Sequence, residues 1–254
     1  MAQVGRSAAV PLGLSDKTGR LGAALVVAKN QVISPGLGNA ISIRLSSQER
    51  AFTGQAYWHD ANDVQGLSVV SDIDDTLKHT NVTNTREMLR NTFARPFAPV
   101  PGMADWYTRI QKTHRTAAFH YVSGSPYPLL PPLQDFLQAH QFQEGSLHLR
   151  WLPLRPNALL DRDATSRHKA AVIQQLLGDF SKRRFVLVGD SGEQDPELYG
   201  EVARAHPKRI AGILIRDVTG EGANASRYAQ AFANVPAAKW QLFTDPALLP
   251  TRWW

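Results

Sequence analysis

The chain has 254 residues, with 43% hydrophobic and 20% charged side chains, ordinary values for one or two globular domains. It contains no cysteine, which excludes disulfides, thiolate zinc sites, iron–sulfur clusters and cysteine nucleophiles together. The balance of 28 basic to 22 acidic residues gives +6 and favours anionic partners, whether nucleic acid, an anionic membrane or a phosphorylated substrate.

The apolar runs fall well short of the roughly 18 residues that a membrane span needs. The first twenty residues are broken by Pro11, Gly13, Asp16 and Lys17 and lack a signal-peptide core. The protein therefore reads as soluble, with no transmembrane segment. Residues 1–66 read as a small β-rich N-terminal region. ALVVA (24–28), AISIRL (40–45) and AFTGQAYW (51–58) are strand-like, punctuated by the turn signals Ser34-Pro35-Gly36 and Asp60-Ala61-Asn62-Asp63.

From residue 67 the rhythm alternates. LSVVSDI (67–73) is a continuous apolar run of the kind buried on both faces of a parallel sheet. Met103, Trp106, Tyr107 and Ile110 repeat at helical spacing. AAFHYV (117–122) is the next strand, followed by a helix that opens at Pro131-Pro132 and carries Leu133, Phe136, Leu137 and His140. LHLRWL (147–152) is strand-like, and Lys169, Val172, Ile173, Leu176, Leu177 and Phe180 form a further helical stripe. RFVLVG (184–189), a helix from Pro196 to about His206, and RIAGILIRDV (209–218) complete the series. The alternation predicts an α/β domain over 67–254, a parallel sheet between two helical layers. Chemistry in such a fold collects beyond the carboxyl ends of the strands.

Charged residues collect there. The first buried strand ends in Ser71-Asp72-Ile73-Asp74-Asp75-Thr76, and RFVLVG ends in Gly189-Asp190, with Glu193 and Asp195 following. Carboxylates crowded at one sheet edge are costly unless a cation or basic group accompanies them. An all-oxygen set of this kind suits a hard divalent cation, most simply Mg²⁺. EF-hand spacing is not met, because Leu77 stands where a glycine is required and Thr83 where a glutamate is. The strand ending at Ser123, in VSGSP, offers a hydroxyl and, from Gly124 onward, backbone N–H groups that can cradle phosphate oxygens. Lys169 falls on the apolar side of its helix and is drawn toward the sheet. GDSGE (189–193) resembles a serine-protease string and VSGSP a nucleophile elbow. The α/β rhythm, an unoriented His120 and the missing framing glycines reject both. The eight histidines show no zinc spacing.

The ordered set D-x-D-x-T, a strand-terminal Ser, a Lys and G-D-x-x-x-x-D resembles the haloacid-dehalogenase-like phosphatase superfamily. SDIDDTLKHTNVT, LRNTF, VPGMADWY, FHYVSGSPY and VLVGDSGEQDPELY resemble more narrowly the actin-patch-type Mg²⁺-dependent phosphatidate phosphatases and their bacterial relatives, over roughly 67–220. The resemblance implies a three-layer, Rossmann-like catalytic core and Mg²⁺ as cofactor. It implies Asp72 as the nucleophile that forms an aspartyl-phosphate, and Asp74 as general acid and base. It implies that Thr76 supports the loop and that Ser123, Gly124 and Lys169 bind the transferring phosphoryl group. The metal ligands implied are Asp72, Asp74 through its backbone carbonyl, Asp190 and Asp195. Asp195 has a competing role as helix N-cap before Pro196 and Glu197, and Asp75 is expected to point away from Asp74.

The stretch 77–101 is too short for a cap domain and is expected to form a flap near the site, and 124–168 has room for one helix, one strand and a loop. An open site suits a bulky, interfacial substrate, with Arg86, Arg90 and Arg95 available to an anionic surface and Trp151, Trp253 and Trp254 to a lipid interface. The implied enzyme hydrolyses phosphatidate, is cytoplasmic and acts peripherally at a membrane. The same residues would serve a phosphoprotein or a soluble phosphate ester. A lipid- or protein-binding module with vestigial catalysis is the alternative from another class. Nucleic-acid binding lacks an aromatic-basic motif.

Overall fold

A computed structural model describes residues 1–15, 25–28, 31, 40–47, 50–152 and 158–253. They form two compact units, Met1–His59 and Asp60–Trp254. The first holds a three-stranded antiparallel sheet in the order β1-β2-β3, from β1 (Ala2–Val4), β2 (Ala40–Ser46) and β3 (Ala51–Tyr57). Two of its strands were expected, and β1 was too short to announce itself. The ALVVA run is not a strand over its described part, Leu25–Ala28, where Val26 is fully exposed: an apolar run without a partner strand gains nothing by extending. Ser34-Pro35-Gly36 lies outside the described residues.

The second unit is built on six parallel strands in the order β6-β5-β4-β7-β8-β9. They are β4 (Leu67–Asp72), β5 (Ala118–Pro126), β6 (Ser146–Arg150), β7 (Arg184–Asp190), β8 (Ile210–Arg216) and β9 (Trp240–Phe243). Every residue of β4 is buried, as its uninterrupted apolar run predicts. Its side chains alternate between two cores. Leu67 and Val69 join α2 (Met103–Thr113) and α3 (Leu130–Ala139), while Val70 joins α4 (Arg162–Asp179) and α5 (Asp195–Ala205). Helices thus cover both faces, and the chain is α/β with a separate small antiparallel sheet.

Two helices and a strand of this unit were not foreseen. α1 (Thr85–Phe93) lies within the expected flap, and only Thr92 of it is buried. Its apolar residues, Met88, Leu89 and Phe93, are few and stand in a polar stretch, and its start is set by its cap: the Asn84 side chain accepts hydrogen bonds from the N–H groups of Arg86 and Glu87. α6 (Ser226–Ala231) and the four-residue β9 are too short for a periodic signal. The strand foreseen at 147–152 stops at Arg150, whose buried guanidinium donates to the carbonyls of Leu159 and Asp161.

Candidate active site

β4 and β7 are neighbours in the sheet, with Ser71 opposite Val188, so Asp72 and Asp190 end adjacent strands on one edge. Asp195 follows at the start of α5, and one carboxylate oxygen from each of the three lies within 4.8 Å of the others. Two glycines make room for this. A Cβ on Gly189 would stand 2.2 Å from Asp195 Oδ2, and one on Gly192 would stand 2.9 Å from Asp190 Oδ1. Asp195 Oδ2 accepts from the Asp190 N–H (3.3 Å) and Oδ1 from Lys169 Nζ (2.7 Å). It does not cap α5, whose N-cap is Gln194 without a side-chain bond. The Asp190 N–H and the lysine claim the Asp195 side chain in preference to the helix end.

Lys169 is 2% exposed and is the cation at the centre of this cluster. Besides Asp195, its Nζ lies 2.8 Å from Asp72 Oδ1 and 3.0 Å from Glu193 Oε2. Three carboxylates thus share a single buried ammonium, with Asp190 beside them. Burial, then repulsion from Asp195, Asp72 and Glu193, holds the Asp190 carboxyl well above its ordinary range. Burial also raises Asp72 well above that range, with Lys169 opposing and Asp195, Asp74 and Glu193 adding to it. Asp72 Oδ2 and Asp190 Oδ2 are buried without a hydrogen-bond partner. Unspent buried carboxylate oxygens, an excess of negative charge and an all-oxygen donor set fit a hard divalent cation.

Asp74 stands apart from that trio. Its Oδ1 accepts from Lys78 Nζ (2.6 Å) and Thr80 Oγ1 (2.9 Å), and its Oδ2 from Ser123 Oγ (2.7 Å) and Ser125 Oγ (3.2 Å). Burial pushes this carboxyl up, but the charge of Lys78 and the bonds from Lys78, Ser123 and Thr80 outweigh it, bringing the pKa to about 2. Asp75, at φ 55°, turns away and accepts the backbone N–H groups of Thr80, Asn81 and Val82, which ties the strand end to the segment leading into α1. Thr76 is fully buried, and its Oγ1 has no hydrogen-bond partner. Gly124 lies against Thr165, where a Cβ would be 2.7 Å from Thr165 Cγ2.

A small cleft of about 90 Å³ opens above these groups. Asp74, Thr80, Gly124, Ser125, Thr165 and Glu193 line it, together with Met88 and Thr92 of α1. The flap expected near the site is therefore there, as a helix. Of its arginines, Arg90 and Arg95 both pair with Glu87 and Arg86 is exposed. Trp151 is 44% exposed beside Tyr127, whereas Trp253 packs on Gly212 of β8. Trp254 lies outside the described residues.

Lys78, Thr80 and Ser125 are the site residues that the sequence did not disclose. Lys78 had a signal of a kind, lying four residues after Asp74, but a lysine after a polar turn reads as solvated. No helix of the described residues is long and apolar enough to cross a membrane.

Residues 67–217 match the family described as the catalytic domain of the phosphatidate phosphatase APP1. The chain is 36% identical over 154 residues to the phosphatidate phosphatase APP1 of Saccharomyces cerevisiae, covering 59% of this chain and 26% of that one. It is 33% identical over 191 residues to an uncharacterised protein of Schizosaccharomyces pombe, covering 72% of this chain and 30% of that one. The chain thus spans under a third of the length of these relatives. A solved UDP-GlcNAc 2-epimerase from Neisseria meningitidis has a TM-score of 0.39 at 11% identity, over 70% of this chain and 46% of that one, a likeness too slight to carry function.

Proposed function

The chain belongs to the family of the phosphatidate phosphatase APP1 catalytic domain, and on that premise we propose that it is a Mg²⁺-dependent phosphomonoester hydrolase that converts phosphatidate to diacylglycerol and phosphate. The observation that carries this reading is the cluster of Asp72, Asp190 and Asp195 around Lys169, with carboxylate oxygens left unspent at the edge of a parallel sheet. The proposed chemistry lies within residues 67–254 and follows the haloacid-dehalogenase pattern. Mg²⁺ held by Asp72, Asp190 and Asp195, with the Asp74 backbone carbonyl, would offset the charge of the carboxylates and of the phosphoryl group.

Asp72 attacks phosphorus, and its acyl-phosphate bond forms as the ester P–O bond breaks. Lys169 faces the phosphoryl oxygens and balances their charge. Asp74 passes a proton to the leaving glycerol oxygen, then removes one from the water that attacks phosphorus, returning the Asp72 carboxylate and inorganic phosphate.

Asp74 is ionised in the resting geometry, so proton donation requires its pKa to rise. Substrate supplies two causes. The phosphate adds negative charge beside Asp74. It also draws Ser123 Oγ and the Gly124 N–H toward its own oxygens, removing a hydrogen bond that now holds the Asp74 pKa down. The cleft reaches Asp74 and Glu193, so entry to Asp72 parts the Glu193–Lys169 contact. Arg86 and Trp151 are available to an anionic lipid surface, where the protein would act peripherally from the cytoplasm.

A panel of phosphatidate, a phosphopeptide and a sugar phosphate, each with and without Mg²⁺, tests the reading. Metal-dependent release from phosphatidate at the highest kcat/KM is expected. Release from the soluble esters alone would overturn the substrate class while leaving the chemistry in place.

A further inference from the structure

A second hollow of about 540 Å³ adjoins the cleft. Phe93 at the end of α1, Pro96 and Phe97 beyond it, Leu129 just before α3, and Phe136 and Ala139 on α3 form its walls. Thr92 lines both the hollow and the cleft, so the two meet at one residue. Phe97 joins them at depth. Lys78 Nζ lies 4.9 Å from its ring centroid, and the same Nζ is 2.6 Å from Asp74 Oδ1. Phe136 braces the Phe97 ring edge-on at 5.9 Å. The apolar wall therefore begins one side chain away from the carboxylate that meets the leaving oxygen.

Phe93 is left 55% exposed at its mouth. An apolar hollow that opens beside a site is suited to an apolar part of its ligand. The charged members of the lining, Arg95 and Asp135, are exposed to water. Apart from Thr92 and His140, the remaining lining is aromatic and aliphatic. An extended peptide needs partners for its backbone N–H and C=O groups, whereas an alkyl chain needs none.

Resting on the phosphomonoester reading above, we propose that this hollow is an acyl-chain subsite, holding one hydrocarbon chain of a lipid phosphomonoester whose phosphate occupies the cleft. The chain leaves the ester oxygen near Asp74, crosses Thr92 and lies between Phe93, Phe97 and Phe136. The subsite makes the enzyme selective for lipid over soluble esters without a cap domain. It also places Phe93 where a chain enters from a membrane.

The test uses n-alkylphosphonates of two to ten carbons, titrated calorimetrically into the full chain in Mg²⁺. Each methylene that enters the groove is expected to lower the dissociation constant about three- to four-fold, with a negative heat-capacity change. Two variants at exposed positions, Ala139→Trp to fill the groove and Phe93→Ser to remove a wall, are expected to flatten this dependence while leaving ethylphosphonate binding unchanged. Ethylphosphonate binding without chain-length dependence would overturn the subsite and leave the phosphomonoester reading standing. A dependence that both variants preserve would place the chain elsewhere and overturn the subsite as well. Absence of binding at every length would overturn both readings.

Discussion

Lys78→Met removes a buried positive charge from Asp74 while keeping most of the side-chain volume. In the native protein Lys78 is fully buried, and its Nζ reaches both Asp74 Oδ1 and Thr80 Oγ1 at 2.6 Å. The Asp74 pKa falls from 3.8 to about 2 through this charge and the accompanying hydrogen bonds, against the opposing effect of burial. A depression of this size corresponds to about 2 kcal/mol of stability. The folded pKa lies below the unfolded one, so this contribution is complete at pH values well above 3.8 and is lost as the pH falls toward 2. Breaking a buried pair from one side typically costs about 3–5 kcal/mol. Three hydroxyl donors remain to Asp74, so the variant is expected to be about 2–4 kcal/mol less stable at pH 7. Urea unfolding of metal-free wild type and variant, from pH 7 down to pH 2.5, measures the difference. It should narrow below pH 4 as Asp74 takes up a proton. A gap that stays constant with pH, or one within the roughly 0.5 kcal/mol of an ordinary surface substitution, would refute the pairing of Lys78 with an ionised Asp74.

Three further outcomes follow from the carboxylate cluster. Lys169→Met leaves Asp72, Asp195 and Glu193 without their shared cation and is expected to destabilise the metal-free protein by about 3–5 kcal/mol; a thermal melt that matches wild type would contradict the role of Lys169 as hub. Gly189→Ala forces a methyl group onto Asp195 Oδ2, so Mg²⁺ affinity measured by titration calorimetry should fall at least ten-fold, and an unchanged affinity would remove Asp195 from the ion's surroundings. Saturating Mg²⁺ at about a hundred times its dissociation constant should stabilise the wild type by about 2.7 kcal/mol, and Asp190→Asn should abolish most of that gain in the same melting experiment.

The parallel sheet was legible because its strands and helices carry different periods. LSVVSDI and RFVLVG are continuous apolar runs, and Met103, Trp106, Tyr107 and Ile110 repeat at helical spacing. Short elements were not legible: α1 carries only three apolar residues and starts at the Asn84 cap, and β9 is defined by pairing with β8, which is a long-range contact. The carboxylate cluster could be read because strand ends converge by rule, so Asp72 and Asp190 had to share an edge. Lys169 could be read as facing the sheet because apolar neighbours flank it at helical spacing. The network around Asp74 could not be read. Lys78, Thr80 and Ser125 reach it through the turn after β4 and the irregular end of β5, where pairing with β6 shifts register between Ser123 and Pro126. The competing cap role of Asp195 was settled by geometry, since its carboxylate turns toward Lys169 and the Asp190 N–H.

The measurement that bears most directly on the proposed chemistry is phosphate release from phosphatidate vesicles by wild type and Asp72→Asn at matched Mg²⁺. An asparagine keeps the shape of the side chain and removes the nucleophile, so release by the wild type and its loss in the variant are expected. Release by Asp72→Asn at an undiminished rate would contradict an aspartyl-phosphate formed on Asp72.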